Sequence, residues 1–131
     1  MMDPRAIAAV AAGAALGGVF RLLITQFVVG RFGLTAGHYA TLFINVSGSF
    51  LIGIVIEAAQ SRPHVDPLWR LFLATGILGG YTTFSTFSFE TLALWGSGFG
   101  VQAVLYAGGS VLLGVAGAIG GVFTARAIAP P

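Results

Sequence analysis

The sequence contains no cysteine and no lysine, and only 8% of its 131 residues are charged. The missing cysteine excludes disulfides and removes redox chemistry as a guide to compartment. The shortage of charge excludes more. A soluble domain carries about 25% charged residues, so this chain, 56% hydrophobic, cannot cover a water-facing surface. It reads as an integral membrane protein. Its basic residues are all arginine, and the net charge is +2. A few scattered loop arginines do not make a nucleic-acid-binding face, so no nucleic acid is expected as a partner. No cluster of histidine, cysteine and carboxylates has metal-ligand spacing. No glycine run follows the phosphate-loop pattern, and both histidines fall in expected loops, away from any nucleophile. Catalysis is therefore not expected.

Four apolar segments are present, at about 6–29, 41–59, 68–95 and 101–125. They predict an all-α membrane protein with four transmembrane helices in a single domain, 1–131. At 1.5 Å per residue the first reaches about 36 Å and the second about 28 Å, against a hydrocarbon core of about 30 Å. An alanine-rich run near an N-terminus also fits a signal peptide. This one continues past Arg21 into Leu22-Leu23-Ile24 and is followed by more membrane. Four helices leave little room for a pore inside one subunit, so a transport pathway is expected between subunits.

The polar residues inside these segments carry the functional signal. Gly13 and Gly17 form a G-x-x-x-G pair that lets another helix approach closely. Arg21 either snorkels to the interface or lines an anion vestibule. Asn45, with Ser47 and Ser49, lies in the first half of the second segment. Asn45 serves either an interhelical hydrogen bond or a water-filled path. His38 is read as an interfacial loop residue. Glu90 is costly at membrane depth and should face a cavity or a partner. Tyr106 and Ser110 share a helix face, and Gly114, Gly117 and Gly121 suit close packing.

The third segment would reach about 42 Å as one helix, more than a bilayer needs. That surplus, with Gly76, Gly79 and Gly80 at its centre, predicts a break near 76–83. Interrupted backbone at membrane depth is tolerated where it lines a cavity, and it often coordinates ions. Freed carbonyls suit a cation. The N-terminus of a half-helix starting near Thr82 suits an anion, with Thr82 and Thr83 as candidate caps. Phe84 and Phe87 fall on one face of that half-helix. They either pack against neighbouring helices or turn their electropositive ring edges into a narrow path. Asn45 and the hydroxyls of Ser85 and Thr86 add weak donors, as an anion that must shed water and still leave requires.

These residues together resemble the Fluc (CrcB) family of fluoride channels. The resemblance rests on GAALGGVFR (13–21), TLFINVSGSFLIG (41–53), GILGGYTTFSTFSFE (76–90) and YAGGS (106–110), and so touches all four segments. It implies a passive, fluoride-selective channel that lets fluoride out of the cell and relieves its toxicity. The implied assembly is an antiparallel homodimer of dual topology with two pores, in the bacterial inner (plasma) membrane. Phe84 and Phe87 would be the aromatic box and Asn45 the pore amide. Tyr106 and Ser110 would continue a polar track, with Thr41 and Glu90 nearby and Ser85 and Thr86 beside the box. Arg21 would line the vestibule. Main-chain carbonyls of Gly79 and Thr82 from both subunits would hold a structural sodium ion, Na+, at the dimer centre. One departure stands out: Gly114 occupies a place where some relatives carry a second serine.

Arginine counts at the two membrane faces fit such an assembly. Arg5, Arg62, Arg70 and Arg126 fall on one side, and Arg31, with Arg21 if it reaches the interface, on the other. The positive-inside rule fixes orientation poorly with so weak a bias. A small proton-coupled drug exporter is the nearest alternative. Its essential acid belongs in the first span, where this chain has Arg21 and no acid. A non-transporting membrane subunit, with polar residues as interhelical glue, is the other.

Overall fold

The structure, a computed structural model, describes residues 3–61 and 66–128. The connector residues 62–65, where the second span is expected to end and the third to begin, and the terminal 129–131 lie outside the described residues.

Helix α1 spans Pro4–Phe32. The Asp3 side chain accepts the Arg5 N–H at 2.9 Å and Pro4 opens the first turn, so an otherwise unpaired donor is satisfied. Gly33 ends the helix at φ 92°, a backbone conformation that glycine adopts without a Cβ penalty. A single 3₁₀ turn, Leu34–Ala36, then leads into α2, Gly37–Gln60. The expected 30–40 loop is therefore shorter than its composition suggests, and His38 lies in the first turn of α2. Three glycines and two polar side chains read as loop, yet one tight turn suffices to reverse the chain. The long helices α1 and α2 likewise overrun their apolar stretches at both ends.

A second Asp-Pro cap starts α3, Pro67–Arg70, with Asp66 accepting the Leu68 N–H at 2.9 Å. The chain continues as a π-helix, Leu71–Leu78, then one α-turn, α4, Gly79–Tyr81. Thr82 and Thr83 are extended (φ −79°, ψ 157° and φ −150°, ψ 117°). Helix α5 follows at Phe84–Gly96 and α6 at Gly100–Ile128. The backbone thus leaves the helix at the two threonines, and Gly76, Gly79 and Gly80 remain wound.

What the glycines provide is contact. A Cβ on Gly13 would stand 2.8 Å from Gly76 Cα, one on Gly17 would run into the Ile77 carbonyl, and one on Gly80 would lie 2.5 Å from the Ala14 carbonyl oxygen. Helix α1 and the π-helical stretch therefore meet backbone to backbone. On the other side α2 lies along α6. There Gly117 and Gly121 approach Val46 and Phe50, and Gly53 approaches Ala118. Close packing of small residues replaces the hydrophobic drive that lipid cannot supply.

Three helices, Pro4–Phe32, Leu34–Gln60 (3₁₀ turn included) and Gly100–Ile128, are long and apolar enough to cross a membrane. At 29 residues, α1 and α6 each reach about 43 Å. Their outer faces carry large apolar side chains such as Phe27, Leu105 and Leu112, as a lipid-facing surface requires. This is a multi-pass all-α membrane protein. Its interior is small, built on Ile44, Leu78 and Tyr81.

Candidate functional site: a groove at the interrupted helix

Where Thr82 and Thr83 leave the helix, an open groove of about 450 Å³ runs between the break, α2 and α6. It is lined by Asn45, Gly48, Ser49, Gly79, Thr82, Thr83, Phe84, Phe87, Ser110 and Gly114, together with aliphatic side chains.

Asn45 organises it. Its Oδ1 accepts the Thr83 N–H at 2.8 Å, and its Nδ2 donates to the Thr83 carbonyl at 3.0 Å. The amide thus offers Thr83 the two bonds that a neighbouring backbone would. In a continued helix the Thr83 N–H would bond the Gly79 carbonyl, four residues earlier. Asn45 takes that donor, so the Gly79 carbonyl has no helical partner. A similar exchange follows one turn on. The Thr83 hydroxyl accepts the Thr86 N–H at 3.2 Å and caps α5. That donor would otherwise have closed on the Thr82 carbonyl. Of the two candidate caps, Thr83 fills the role, while the Thr82 hydroxyl donates back to the Leu78 carbonyl at 2.9 Å. The Thr82 carbonyl meets Arg21 Nη1 at 3.5 Å, a long contact. Arg21 is therefore turned toward the break, not away along the helix axis.

Thr83 also gathers hydroxyls. Its Oγ1 donates to Thr86 Oγ1 at 3.0 Å and lies 3.3 Å from Ser85 Oγ. The N-terminus of α5 opens beside this cluster, with the partial positive charge of its unpaired N–H groups.

Phe84 and Phe87 stack obliquely, ring centroids 5.6 Å apart, and Phe87 lies 5.5 Å from the Tyr106 ring. Phe84 is 79% exposed, so its ring is not consumed by packing within the subunit. Beyond Phe87, Glu90 accepts from the Thr41 hydroxyl at 3.0 Å and from the Tyr106 hydroxyl at 2.7 Å. One carboxylate oxygen serves each donor, which answers the cost of an acid at this depth. His38 lies edge-on to Tyr106 with centroids 5.6 Å apart. Ser110 is 8% exposed, lines the groove, and its hydroxyl has no protein partner among the described residues.

Of the candidate site residues, Asn45, Gly79, Thr82, Phe84, Phe87 and Ser110 line the groove; Ser85 and Thr86 stand beside Thr83, Arg21 meets the Thr82 carbonyl, and Thr41, Glu90 and Tyr106 form a hydrogen-bonded cluster. One residue was missed, and one was named without a role. Tyr81 is buried, with its hydroxyl 3.0 Å from Ser47 Oγ, and its only signal was a polar aromatic directly after a double glycine. Ser49 reaches the groove opposite Gly114; nothing in the sequence links those positions. Among the described residues, no three His, Cys, Asp or Glu side chains stand together. The oxygen ligands on offer here are main-chain carbonyls.

The chain is similar to known proteins over most of its length. The family model described as "CrcB-like protein, Camphor Resistance (CrcB)" matches residues 8–122. A protein of Granulibacter bethesdensis named fluoride-specific ion channel FluC is 48% identical over 103 residues, 79% of this chain and 80% of its own length. Its namesake in Rhizobium meliloti is 42% identical over 119 residues, 91% of this chain and 94% of its own. A Listeria innocua protein named fluoride-specific ion channel FluC 1 is 43% identical over 111 residues, 84% and 88% of the two chains. Matches of this length and identity decide membership: the chain belongs to the CrcB-like protein family.

Proposed function

We propose that this protein is a passive, fluoride-selective channel that lets fluoride leave the cytoplasm across the bacterial plasma membrane, and not an enzyme. The observation that carries the reading is the groove itself. Two phenylalanine rings, the unpartnered Ser110 hydroxyl and a helix N-terminus converge there on an interrupted helix, with Glu90 already occupied by two O–H donors. Relatives more than 40% identical to it over the aligned stretch are named fluoride-specific ion channels.

The work asked of such a path is to replace the water around a small, strongly hydrated anion stepwise, without holding the ion. Hydroxyls of Ser110, Thr86 and Ser85 and the remaining amide N–H of Asn45 donate hydrogen bonds. The edges of Phe84 and Phe87 add weak positive potential without a charge. Several weak stations let an ion enter and also leave. Arg21 near one end of the groove raises the local concentration of anions. Thr41 and Tyr106 give their O–H protons to Glu90 and so cover the acid's charge toward the opposite end. A larger, less hydrated anion such as chloride gains less from small donors and fits less well between the rings.

The working unit in this reading is an antiparallel homodimer with two pores. Its support is the openness of the groove on a single subunit, the exposure of Phe84, and an arginine bias weak enough to let a chain insert both ways. The third crossing is then the pair α3–α4 and α5, interrupted at Thr82–Thr83. The freed carbonyls of Gly79 and Thr82 fit a hard cation, which takes oxygen ligands, and we assign them to a structural sodium ion shared with the partner. Bound there, sodium supplies positive charge that holds the two interrupted helices together.

The test is fluoride efflux from liposomes carrying the purified protein, followed with a fluoride electrode, with and without a potassium ionophore. The reading predicts rapid efflux that needs the ionophore, with chloride retained. Efflux driven by a proton gradient would replace the channel with coupled transport, and no efflux from a folded protein would remove the function.

A further inference from the structure

Along α6, Ser110 lines the groove and carries a buried hydroxyl with no partner among the described residues. One turn further on, at Gly114, the same helix face carries no side chain. The donor row on α6 therefore stops after one hydroxyl. Across the groove, Asn45 and Ser49 lie four residues apart on one face of α2, and both line the same space. Ser49 Oγ stands 3.5 Å from where a Cβ on Gly114 would be. The hydroxyl of α2 thus lies beside the place that a side chain at 114 would occupy. Ser47, Ser88 and Thr91 bond their hydroxyls back to a carbonyl four residues earlier. Ser49 makes no such bond among the described residues, so its proton is free to point into the groove.

We propose that Ser49 is a station of the anion path, donating its hydroxyl to fluoride one helical turn beyond Ser110, so that the row of donors crosses from α6 to α2 at Gly114. The proposal rests on the channel reading and adds a residue to it. The glycine and the serine form a complementary pair: bare backbone on α6 leaves room for the hydroxyl from α2. Because 3.5 Å is ordinary van der Waals separation, a side chain at 114 also fits, and the hydroxyl can be moved from one helix to the other.

The experiment measures fluoride efflux from liposomes reconstituted with full-length wild type, Ser49→Ala, and the Ser49→Ala/Gly114→Ser double variant. Losing one hydrogen bond to an anion should slow Ser49→Ala by about tenfold, with elution on a sizing column unchanged. Returning a hydroxyl at 114 should recover most of the flux. Wild-type flux from Ser49→Ala overturns the proposal while the channel reading stands. So does a loss that the assembled double variant does not repair, which assigns Ser49 to packing. If the double variant fails to assemble, Ser49→Thr decides: a hydroxyl-bearing side chain that conducts faster than Ser49→Ala supports the station, and equal loss overturns it. A wild-type protein without flux overturns both readings together.

Discussion

Replacing Asn45 by alanine should close the path without touching any ring or hydroxyl on it. The side chain makes two hydrogen bonds to one residue, accepting the Thr83 N–H at 2.8 Å and donating to the Thr83 carbonyl at 3.0 Å. Thr83 is buried, 8% exposed, so Asn45→Ala leaves a donor and an acceptor unpaired. A buried group deprived of its partner costs about 1–3 kcal/mol. Two such groups next to an open groove, where water can relieve part of the penalty, put the loss at about 2–4 kcal/mol. For a chain of this size that lowers the unfolding temperature by roughly 5–15 °C. The freed Thr83 N–H also has a waiting partner in the Gly79 carbonyl. Rewinding there recovers part of the stability and closes the break. Asn45→Asp is the informative companion. An ionised carboxylate still accepts the Thr83 N–H but opposes the Thr83 carbonyl, lone pair against lone pair. It should conduct poorly as well, with one bond kept. Thermal unfolding in detergent and fluoride efflux from liposomes measure the two consequences. An Asn45→Ala protein with wild-type unfolding temperature and wild-type flux would refute the argument that this amide holds the break open.

Three further outcomes are expected. Phe84→Ile or Phe87→Ile should abolish fluoride flux while the protein still assembles, since Phe84 contributes little to the subunit interior; efflux from both purified variants would take the rings out of the mechanism. Gly17→Val should weaken the fold by about 1–3 kcal/mol or more, because its Cβ meets the Ile77 carbonyl, and the readout is the unfolding temperature with Gly18→Val, which meets open space, as the control. Exchange of sodium for a large organic cation should lower dimer stability on a sizing column; a dimer indifferent to sodium would remove the ion from the Gly79 and Thr82 carbonyls.

Composition and apolar run length made the membrane assignment readable, because a bilayer imposes both. The close-approach glycines Gly13, Gly17, Gly117 and Gly121 could be read as well, because small residues at that spacing act through one helix face. The expected break, near 76–83, includes the residues where the backbone departs, but which residues within that range leave the helix could not be read. Glycine lowers helix propensity, which draws attention to Gly76, Gly79 and Gly80, yet these stay wound and the backbone departs at Thr82–Thr83. The cause lies 38 positions away, in the side chain of Asn45. A tertiary partner outweighs a propensity of about 1 kcal/mol, and no local pattern records it. Ser49 facing Gly114 is invisible for a similar reason, since it depends on the register between α2 and α6. Glu90 is an intermediate case. Its cost in the membrane predicts partners, and the structure names them as Thr41 and Tyr106.

The most direct test of the central claim is the reversal potential of the purified protein in a planar bilayer, with fluoride and chloride gradients set in opposite directions. A channel built as proposed passes current that reverses at the equilibrium potential of fluoride and ignores chloride. Reversal at the chloride potential, or the absence of any current from protein that has inserted and remains folded, would contradict it.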